Sequence, residues 1–215
     1  MRLARSGRGS ITRLRDGDMD EFKELLGVKK EPLLIRFEAA REMLCRGLRY
    51  FVGEEAKWLP GYDDVAEWLS DNNRRGLLLY GANGRGKTLL CYKIIPTLMA
   101  YYYKTVMTFS CRGNALRNVT QGGEDYLNMM RSSVVFIDDF GTENLTSVYG
   151  ERRDVFSEVV DWAEQECKIL VLTSNLTPAE IQARYGLRTL DRLQAITRAI
   201  CLTGESMRNN GIEYK

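Results

Sequence analysis

A chain of 215 residues is long enough for one α/β domain with an appendage, or for two small domains. Hydrophobic residues make up 44% and charged residues 28%, as in ordinary globular proteins, and the net charge of +2 is too small to indicate nucleic-acid binding by itself. The five cysteines form no C-x-x-C pair and histidine is absent, which argues against a structural zinc site and favours free thiols in a reducing cytoplasm.

The first twenty residues predict a mobile basic arm. Residues 1–15 contain five arginines and no acidic residue. Two interpretations stay open: a solvated, disordered tail, or an arm that contacts nucleic acid or a partner protein. A short helix is predicted after the arm, over residues 20–28.

A longer helix is predicted over residues 31–52, because apolar residues recur there at steps of three and four. They are Leu34, Phe37, Ala40, Leu44, Leu48 and Phe51. This helix would either pack on the main domain or dock another protein. We therefore predict a division into a basic arm with a short helical extension (1–55), which contacts a partner, and a main domain (56–215).

Another short helix is predicted over residues 63–70, after a boundary at Pro60 and Gly61. Its apolar residues include Val65 and Trp68, and Tyr62 comes just before it. These three side chains would form an apolar wall for a nucleotide base or belong to the core, and the sequence does not separate the two.

The most informative stretch begins with a short apolar run at residues 77–80, which suits a buried strand. Residues 81–88 follow at once and match G-x-x-x-x-G-K-[ST] without a misfit, and a helix begins after them. A strand, a glycine-rich loop and a helix form the context in which this motif binds the phosphates of a nucleotide. The sequence therefore predicts a site for ATP.

Each residue type in this loop has a chemical reason. The glycines let the backbone curl so that successive N–H groups face phosphate oxygens, and the helix N-terminus adds partial positive charge. The Lys87 ammonium would reach the β- and γ-phosphates, and the Thr88 hydroxyl would hold Mg²⁺. The predicted nucleotide-binding residues are Gly81, Ala82, Asn83, Gly84, Arg85, Gly86, Lys87, Thr88 and Leu89.

Strands and helices alternate along the rest of the chain. Strands are predicted at 104–110, 133–139, 168–175 and 199–203, and helices at 87–102, 123–131, 149–166 and 178–196. With the strand at 77–80, they predict a five-stranded parallel sheet covered by helices on both faces. The longest apolar stretch, around 94–103, is too short to span a membrane, and no signal peptide is predicted.

Polar residues end two of these strands, where parallel sheets bind their ligands. Asp138 would hold Mg²⁺, and Asp139, on the other side of the extended chain, would polarise the attacking water. Asn175 would orient water near the γ-phosphate or cap the next turn. Thr173 and Ser174 are expected to make local hydrogen bonds.

An arginine from a neighbouring subunit often completes such a site. Arg192, late in the last predicted helix, is a candidate for that role. Arg188 and Arg198 compete with it, and an arginine on a solvated helix face is the ordinary alternative.

Four segments carry a resemblance to a known family. They are residues 137–143 (IDDFGTE), 172–176 (LTSNL), 190–193 (LDRL) and 204–208 (GESMR). Over residues 62–208 the chain resembles AAA+ ATPases of the DnaC and IstB-like helicase-loader branch. The resemblance implies that Asp139 is the second acid of the hydrolytic site, Asn175 the first sensor and Arg192 the finger acting on a neighbour. By position Arg208 resembles the second sensor, although the lid that carries this sensor elsewhere is expected to be reduced or absent.

The same resemblance implies a cytoplasmic, Mg²⁺-dependent ATPase that assembles into a spiral or ring on single-stranded DNA, with weak activity until it assembles. Its partner would be a replicative helicase that it loads, or a transposase that it helps to select a target. Arg112 and Arg117 are candidates for DNA contact, or ordinary surface charges. A nucleotide kinase that shares the phosphate loop is the alternative from another class.

Overall fold

The computed structural model describes residues 30–142, 147–148, 151–152, 155–204 and 206. The chain divides into two compact units, Met1–Glu31 and Pro32–Lys215, and every element below belongs to the second. The arm predicted at 1–20 and the helix predicted at 20–28 lie outside the described residues, as does Arg208.

The second unit begins with two helices, α1 (Ala40–Val52) and α2 (Tyr62–Ser70), followed by strand β1 (Gly76–Tyr80). Helix α3 comprises Lys87–Leu89, a π-helical segment Leu90–Ile94 and Ile95–Tyr102. Strand β2 (Thr108–Arg112), a 3₁₀ turn (Gly113–Ala115), α4 (Leu116–Thr120), α5 (Glu124–Arg131) and β3 (Val134–Phe140) come next. The last elements are β4 (Ser147–Val148), β5 (Glu151–Arg152), α6 (Val155–Gln165), β6 (Ile169–Ser174), α7 (Pro178–Tyr185), α8 (Leu187–Ile196) and β7 (Thr197–Cys201).

Five of the strands form one parallel sheet in the order β2-β3-β6-β1-β7, which confirms the predicted α/β fold. Alternate residues of its strands enter two separate apolar cores. Leu77 and Leu79 pack on the face covered by α1, α2 and α3, whereas Leu78 packs on the face covered by α6, α7 and α8. Both faces are therefore buried, which is why these strands read as continuous apolar runs.

Several predicted boundaries were wrong for local reasons. The strand predicted from residue 104 begins at Thr108, because Val106 donates a backbone hydrogen bond to Tyr103 and holds a turn there. The helix predicted from residue 149 begins at Val155, after β4 and β5 pair antiparallel. The helix predicted at 178–196 is two helices separated by Gly186, whose φ of 88° is left-handed.

The helix predicted over 31–52 begins only at Ala40. The preceding residues lie extended beside the last turn of α2 and the loop after it. Phe37 N–H bonds to the Leu69 carbonyl of α2, and Asn72 N–H in the loop bonds to the Ile35 carbonyl. Ile35 and Phe37 are both buried, so apolar side chains spaced by two, not four, face the core. This segment and α1 pack within the second unit, and the functional division at residue 55 stays a prediction.

The side chain of Asn72 holds this extended segment. Its Oδ1 accepts hydrogen bonds from the backbone N–H groups of Ile35 (2.8 Å) and Arg74 (3.2 Å). Its Nδ2 donates to the carbonyls of Leu33 and Arg75, both at 3.1 Å. Asn72 is 2% exposed, so water has little access to replace these bonds.

We expect Asn72→Ala to lower the free energy of unfolding by about 2–4 kcal/mol, because buried backbone groups lose their partners. Chemical denaturation would measure the loss. Asn118→Ala, at an exposed asparagine of α4, is the control and should stay within about 0.5 kcal/mol of wild type. Equal stability of the two variants would contradict this account of the segment.

Tyr62, Val65 and Trp68 are core residues rather than a wall for a base. All three are fully buried. The Trp68 indole N–H donates to the Arg75 carbonyl (2.9 Å), and the Tyr62 hydroxyl donates to the Arg85 carbonyl (3.2 Å). Helix α2 is therefore hydrogen-bonded to the glycine-rich loop through the Tyr62 hydroxyl. In the described part of the chain, no helix is long and apolar enough to cross a membrane.

Candidate active site

The glycine-rich loop connects β1 to α3. Gly81, Gly84 and Gly86 all have left-handed φ values, 124°, 79° and 78°. A Cβ at Gly81 would lie 2.7 Å from the Leu202 carbonyl oxygen, so the loop also approaches the backbone after β7 too closely for a side chain. These conformations curl the backbone as the sequence motif predicts.

Lys87 is held within this loop. Its Nζ donates to the carbonyl oxygens of Gly81 (2.6 Å) and Ala82 (2.9 Å), and the residue is only 7% exposed. Thr88 is exposed at the first turn of α3, whereas Leu89 is buried beneath it. The ammonium group therefore lies against the loop that would surround phosphate groups.

Arg85 has a feature that the sequence motif does not show. Its Nε and Nη1 are buried and have no hydrogen-bond partner in the described structure. Burying guanidinium N–H groups without acceptors is unfavourable, and an acceptor supplied by a bound molecule would relieve the cost. The motif assigns only the backbone of this residue to phosphate binding, so sequence reasoning missed the side chain.

The π-helical segment follows the first turn of α3 and places Cys91 against the sheet. Its Sγ lies 3.3 Å from the Val171 carbonyl oxygen. Burial raises the pKa of Cys91 well above its usual range, and the charges of Asp138 and Cys111 raise it further. Cys91 therefore stays a protonated thiol and is unsuited to nucleophilic chemistry.

Asp138 and Asp139 end β3 in different environments. Asp138 is 2% exposed, and its Oδ1 accepts a hydrogen bond from the Thr173 hydroxyl (2.7 Å). Asp139 has a left-handed φ of 59°, where the register of β3 against β6 shifts. Its backbone N–H donates to the same Thr173 oxygen at 2.7 Å. This bend, in addition to the alternation of side chains along the strand, gives the two carboxylates different surroundings.

Asn175, just beyond β6, reaches the second of these acids. Its Nδ2 donates to Asp139 Oδ1 at 2.9 Å. Thr173 was expected to make local hydrogen bonds and this was wrong, because its partners lie across the sheet. Ser174 makes one distant and one local hydrogen bond. Its hydroxyl donates to the Phe140 carbonyl across the sheet (2.9 Å) and accepts from the nearby Leu176 N–H (3.1 Å).

The residues present fit a magnesium ion. The second carboxylate oxygen of Asp138, Oδ2, receives no hydrogen bond from the described residues, although the side chain is buried. This oxygen is not among the fully buried atoms that lack a partner in the described structure, so a cation can approach it. Carboxylate and hydroxyl oxygens are ligands that Mg²⁺ prefers, so Asp138 and Thr88 would hold it. The described residues contain no cluster of three or more His, Cys, Asp or Glu side chains suited to another metal.

Arg192 belongs to a separate charged cluster on the α6–α8 face. Its guanidinium contacts Asp161 and also pairs with Glu164, with Nε 3.2 Å from Oε2. Arg188 pairs with Asp161 at 3.3 Å. Among the described residues, no hydrogen bond or ion pair joins Arg192 to the glycine-rich loop or to the acids of β3. The structure therefore does not bring Arg192 to the site of its own chain.

Two of the other candidate arginines contact residues of their own chain. Arg198 pairs with Glu67 (2.6 Å) and Asp64 (3.5 Å) of α2. The Arg112 guanidinium lies over the Tyr92 ring, 5.9 Å from its centroid.

The sequence matches a known family. Residues 77–198 match the model of the ATPase family associated with various cellular activities (AAA). Comparison with curated proteins gave no match.

Several solved structures resemble the chain. A protein described as a primosome component from Streptococcus pyogenes serotype M3 is 18% identical, with 81% of this chain and 88% of that chain covered and a TM-score of 0.51. Domain III of the Thermotoga maritima replication initiation protein DnaA is 19% identical, with coverage of 72% and 67% and a TM-score of 0.54. AMPPCP-bound DnaA from Aquifex aeolicus is 13% identical, with coverage of 70% and 50% and a TM-score of 0.51. At these identities the similarity shows a shared fold.

Proposed function

The chain belongs to the AAA family of ATPases, and from this premise we propose that it binds ATP with Mg²⁺ and hydrolyses it at the carboxyl edge of its sheet. The hydrogen bond between Asn175 and Asp139 is the observation that most directly supports hydrolysis. It joins the amide of Asn175, just beyond β6, to a carboxylate from β3, beside the strand that leads into the phosphate loop. Such a pair can hold a water molecule and accept its proton.

The other residues of the loop have separate roles in this proposal. Backbone N–H groups of residues 81–89 bind the phosphates, and Lys87 exchanges its loop carbonyls for the β- and γ-phosphate oxygens. Thr88 and Asp138 hold Mg²⁺, which when bound neutralises charge on the phosphate oxygens. Arg208, by the sequence resemblance, is proposed as a second contact to the nucleotide.

We assign Arg192 to a neighbouring subunit's site. Its own chain pairs it with Asp161 and Glu164, at the surface, and not with the phosphate loop. An arginine that completes a site from outside would have this placement in the isolated chain. Self-association into a spiral or ring, in which each subunit contributes Arg192 to the next, follows from this assignment.

We propose that the biological role of this protein is to load the replicative helicase, and that the protein itself binds single-stranded DNA. The four sequence segments that resemble the DnaC and IstB-like branch support it. So does the shared fold with a structure described as a primosome component. Target selection for a transposase uses the same site, and a nucleotide kinase would use only the phosphate loop.

Affinity capture tests the biological role. Tagged protein would be incubated with native-host extract, a non-hydrolysable ATP analogue and single-stranded DNA, and mass spectrometry would identify what is retained. The expected result is nucleotide-dependent retention of a hexameric replicative helicase. Lys87→Ala serves as the matched bait that cannot hold the nucleotide. Retention of a transposase instead, or wild-type turnover that requires a small-molecule phosphate acceptor, would replace the loader assignment.

A further inference from the structure

Thr173 contacts both acids of β3 through one oxygen. Its hydroxyl donates to Asp138 Oδ1 and accepts from the Asp139 backbone N–H, each at 2.7 Å. The residue is 1% exposed, so these contacts are shielded from water. Thr173 lies within the segment 172–176 that resembles the helicase-loader branch, two positions before Asn175, but the sequence predicted only a local hydrogen bond for it.

The direction of the two hydrogen bonds follows from their chemistry. A hydroxyl has one proton to donate, and a backbone N–H can only donate, so the proton of Thr173 goes to Asp138. The hydroxyl thus fixes the rotamer of Asp138 and leaves Oδ2 of that carboxylate available. At the same time it binds the N–H of Asp139, a residue held at a φ of 59° that non-glycine residues rarely adopt.

We propose that Thr173 is a positioning residue that sets both acids, orienting Asp138 towards the magnesium ion and holding Asp139 where Asn175 reaches it. The inference rests on the proposed function, because it assigns work to Asp138 and Asp139 in ATP hydrolysis. Groups that orient a metal ligand typically change metal affinity or activity by about 10–100-fold when they are removed. Thr173 is expected to have an effect of this size.

The test compares variants that keep or remove the hydroxyl. Thr173→Val preserves the shape of the side chain and removes the hydrogen bonds, whereas Thr173→Ser keeps the hydroxyl. Ser174→Ala is the matched control, because Ser174 is equally buried on the same strand and its hydroxyl bonds to Phe140 and Leu176 without touching either acid. Thr173→Ala provides a second hydroxyl-free variant if valine prevents folding.

Two measurements are needed. Calorimetric titration with a non-hydrolysable ATP analogue, with and without Mg²⁺, gives the affinity gained from the metal, and steady-state kinetics gives kcat and KM. Without Mg²⁺, Thr173→Val should bind the analogue with the same affinity as wild type. With Mg²⁺, its gain in affinity should be about 10–100-fold smaller than that of wild type, and its kcat should be lower by a similar factor. Thr173→Ser should restore both. Ser174→Ala should lower the melting temperature but leave both the metal-dependent gain in affinity and kcat unchanged.

The outcomes separate this inference from the proposed function. A wild-type protein whose analogue affinity does not depend on Mg²⁺ would overturn the proposed function. If wild type responds to Mg²⁺ and the hydroxyl-free variants respond equally, Thr173 is not a positioning residue and the proposed function stands. A loss of metal response in Ser174→Ala equal to that in Thr173→Val would also overturn the inference, because general loosening of β6 would then explain both.

Discussion

Lys87→Ala is expected to weaken ATP binding by about 10²–10⁴-fold, since two hydrogen bonds from an ammonium to phosphate are together worth about 3–6 kcal/mol. In the resting chain the Nζ is held by the carbonyl oxygens of Gly81 and Ala82. The nucleotide therefore replaces neutral acceptors with charged ones, which form the stronger hydrogen bonds. The change should affect binding far more than folding, because the released carbonyls border an exposed loop.

Titration with a fluorescent ATP analogue in the presence of Mg²⁺ would measure the loss. Lys93→Ala is the control, because Lys93 lies on the same helix with its Nζ 5.6 Å from the centre of the Phe51 ring. Its removal should leave the affinity within about threefold of wild type, the factor for 0.6 kcal/mol. A Lys87→Ala affinity as close to wild type as that of the control would contradict the assignment of the phosphate loop.

The parts of the site that the sequence predicted are those that depend on local chemistry. Residues 81–88 contain glycine where the backbone needs a left-handed φ, and the flanking strand and helix follow from adjacent residues. Buried strands were predicted to within one or two residues at β1, β3 and β6, because both of their faces need apolar side chains. The strand less covered by helices, β2, was misplaced by four residues at its start.

What the sequence did not predict depends on partners far apart in the chain. Thr173 meets Asp138 and Asp139 across 35 and 34 positions, and its type alone suggests a local hydrogen bond. The extended segment before α1 follows from the buried amide of Asn72, 37 positions from Ile35. Both depend on which elements the sheet order makes neighbours, and a single sequence shows no pattern for that order.

The pairing of Arg192 with two carboxylates is a further feature that the sequence did not predict, and it bears on the proposed function. Asp161 and Glu164 are three positions apart on α6 and contact α8 only because both helices cover one face of the sheet. Arg192 is 29% exposed and its two carboxylate partners are each 40% exposed, so solvent reaches these ion pairs and partly screens them. In the proposed assembly, a phosphate bound to a neighbouring subunit would compete with these carboxylates for the Arg192 guanidinium.

Arg192→Ala is expected to bind ATP with wild-type affinity and to hydrolyse it about 10³–10⁵-fold more slowly in the assembled state, since the charge that the finger stabilises develops only during the reaction. Arg188→Ala is the matched control. Arg188 lies one turn away on α8, pairs with the same Asp161 and is 74% exposed. Its loss removes an ion pair and a positive charge from this face, and should leave hydrolysis within about threefold of wild type.

Mixing experiments then decide whether the finger acts on the neighbouring subunit. In an assembly of Lys87→Ala and Arg192→Ala chains, the second has an intact phosphate loop and the first has an intact finger. Random mixing in equal amounts would place the two at about a quarter of the head-to-tail interfaces and restore hydrolysis there. Sedimentation would verify that the two chains assemble together. If they do and hydrolysis stays at the level of the separate variants, Arg192 does not act on its neighbour and its pairing with Asp161 and Glu164 is structural.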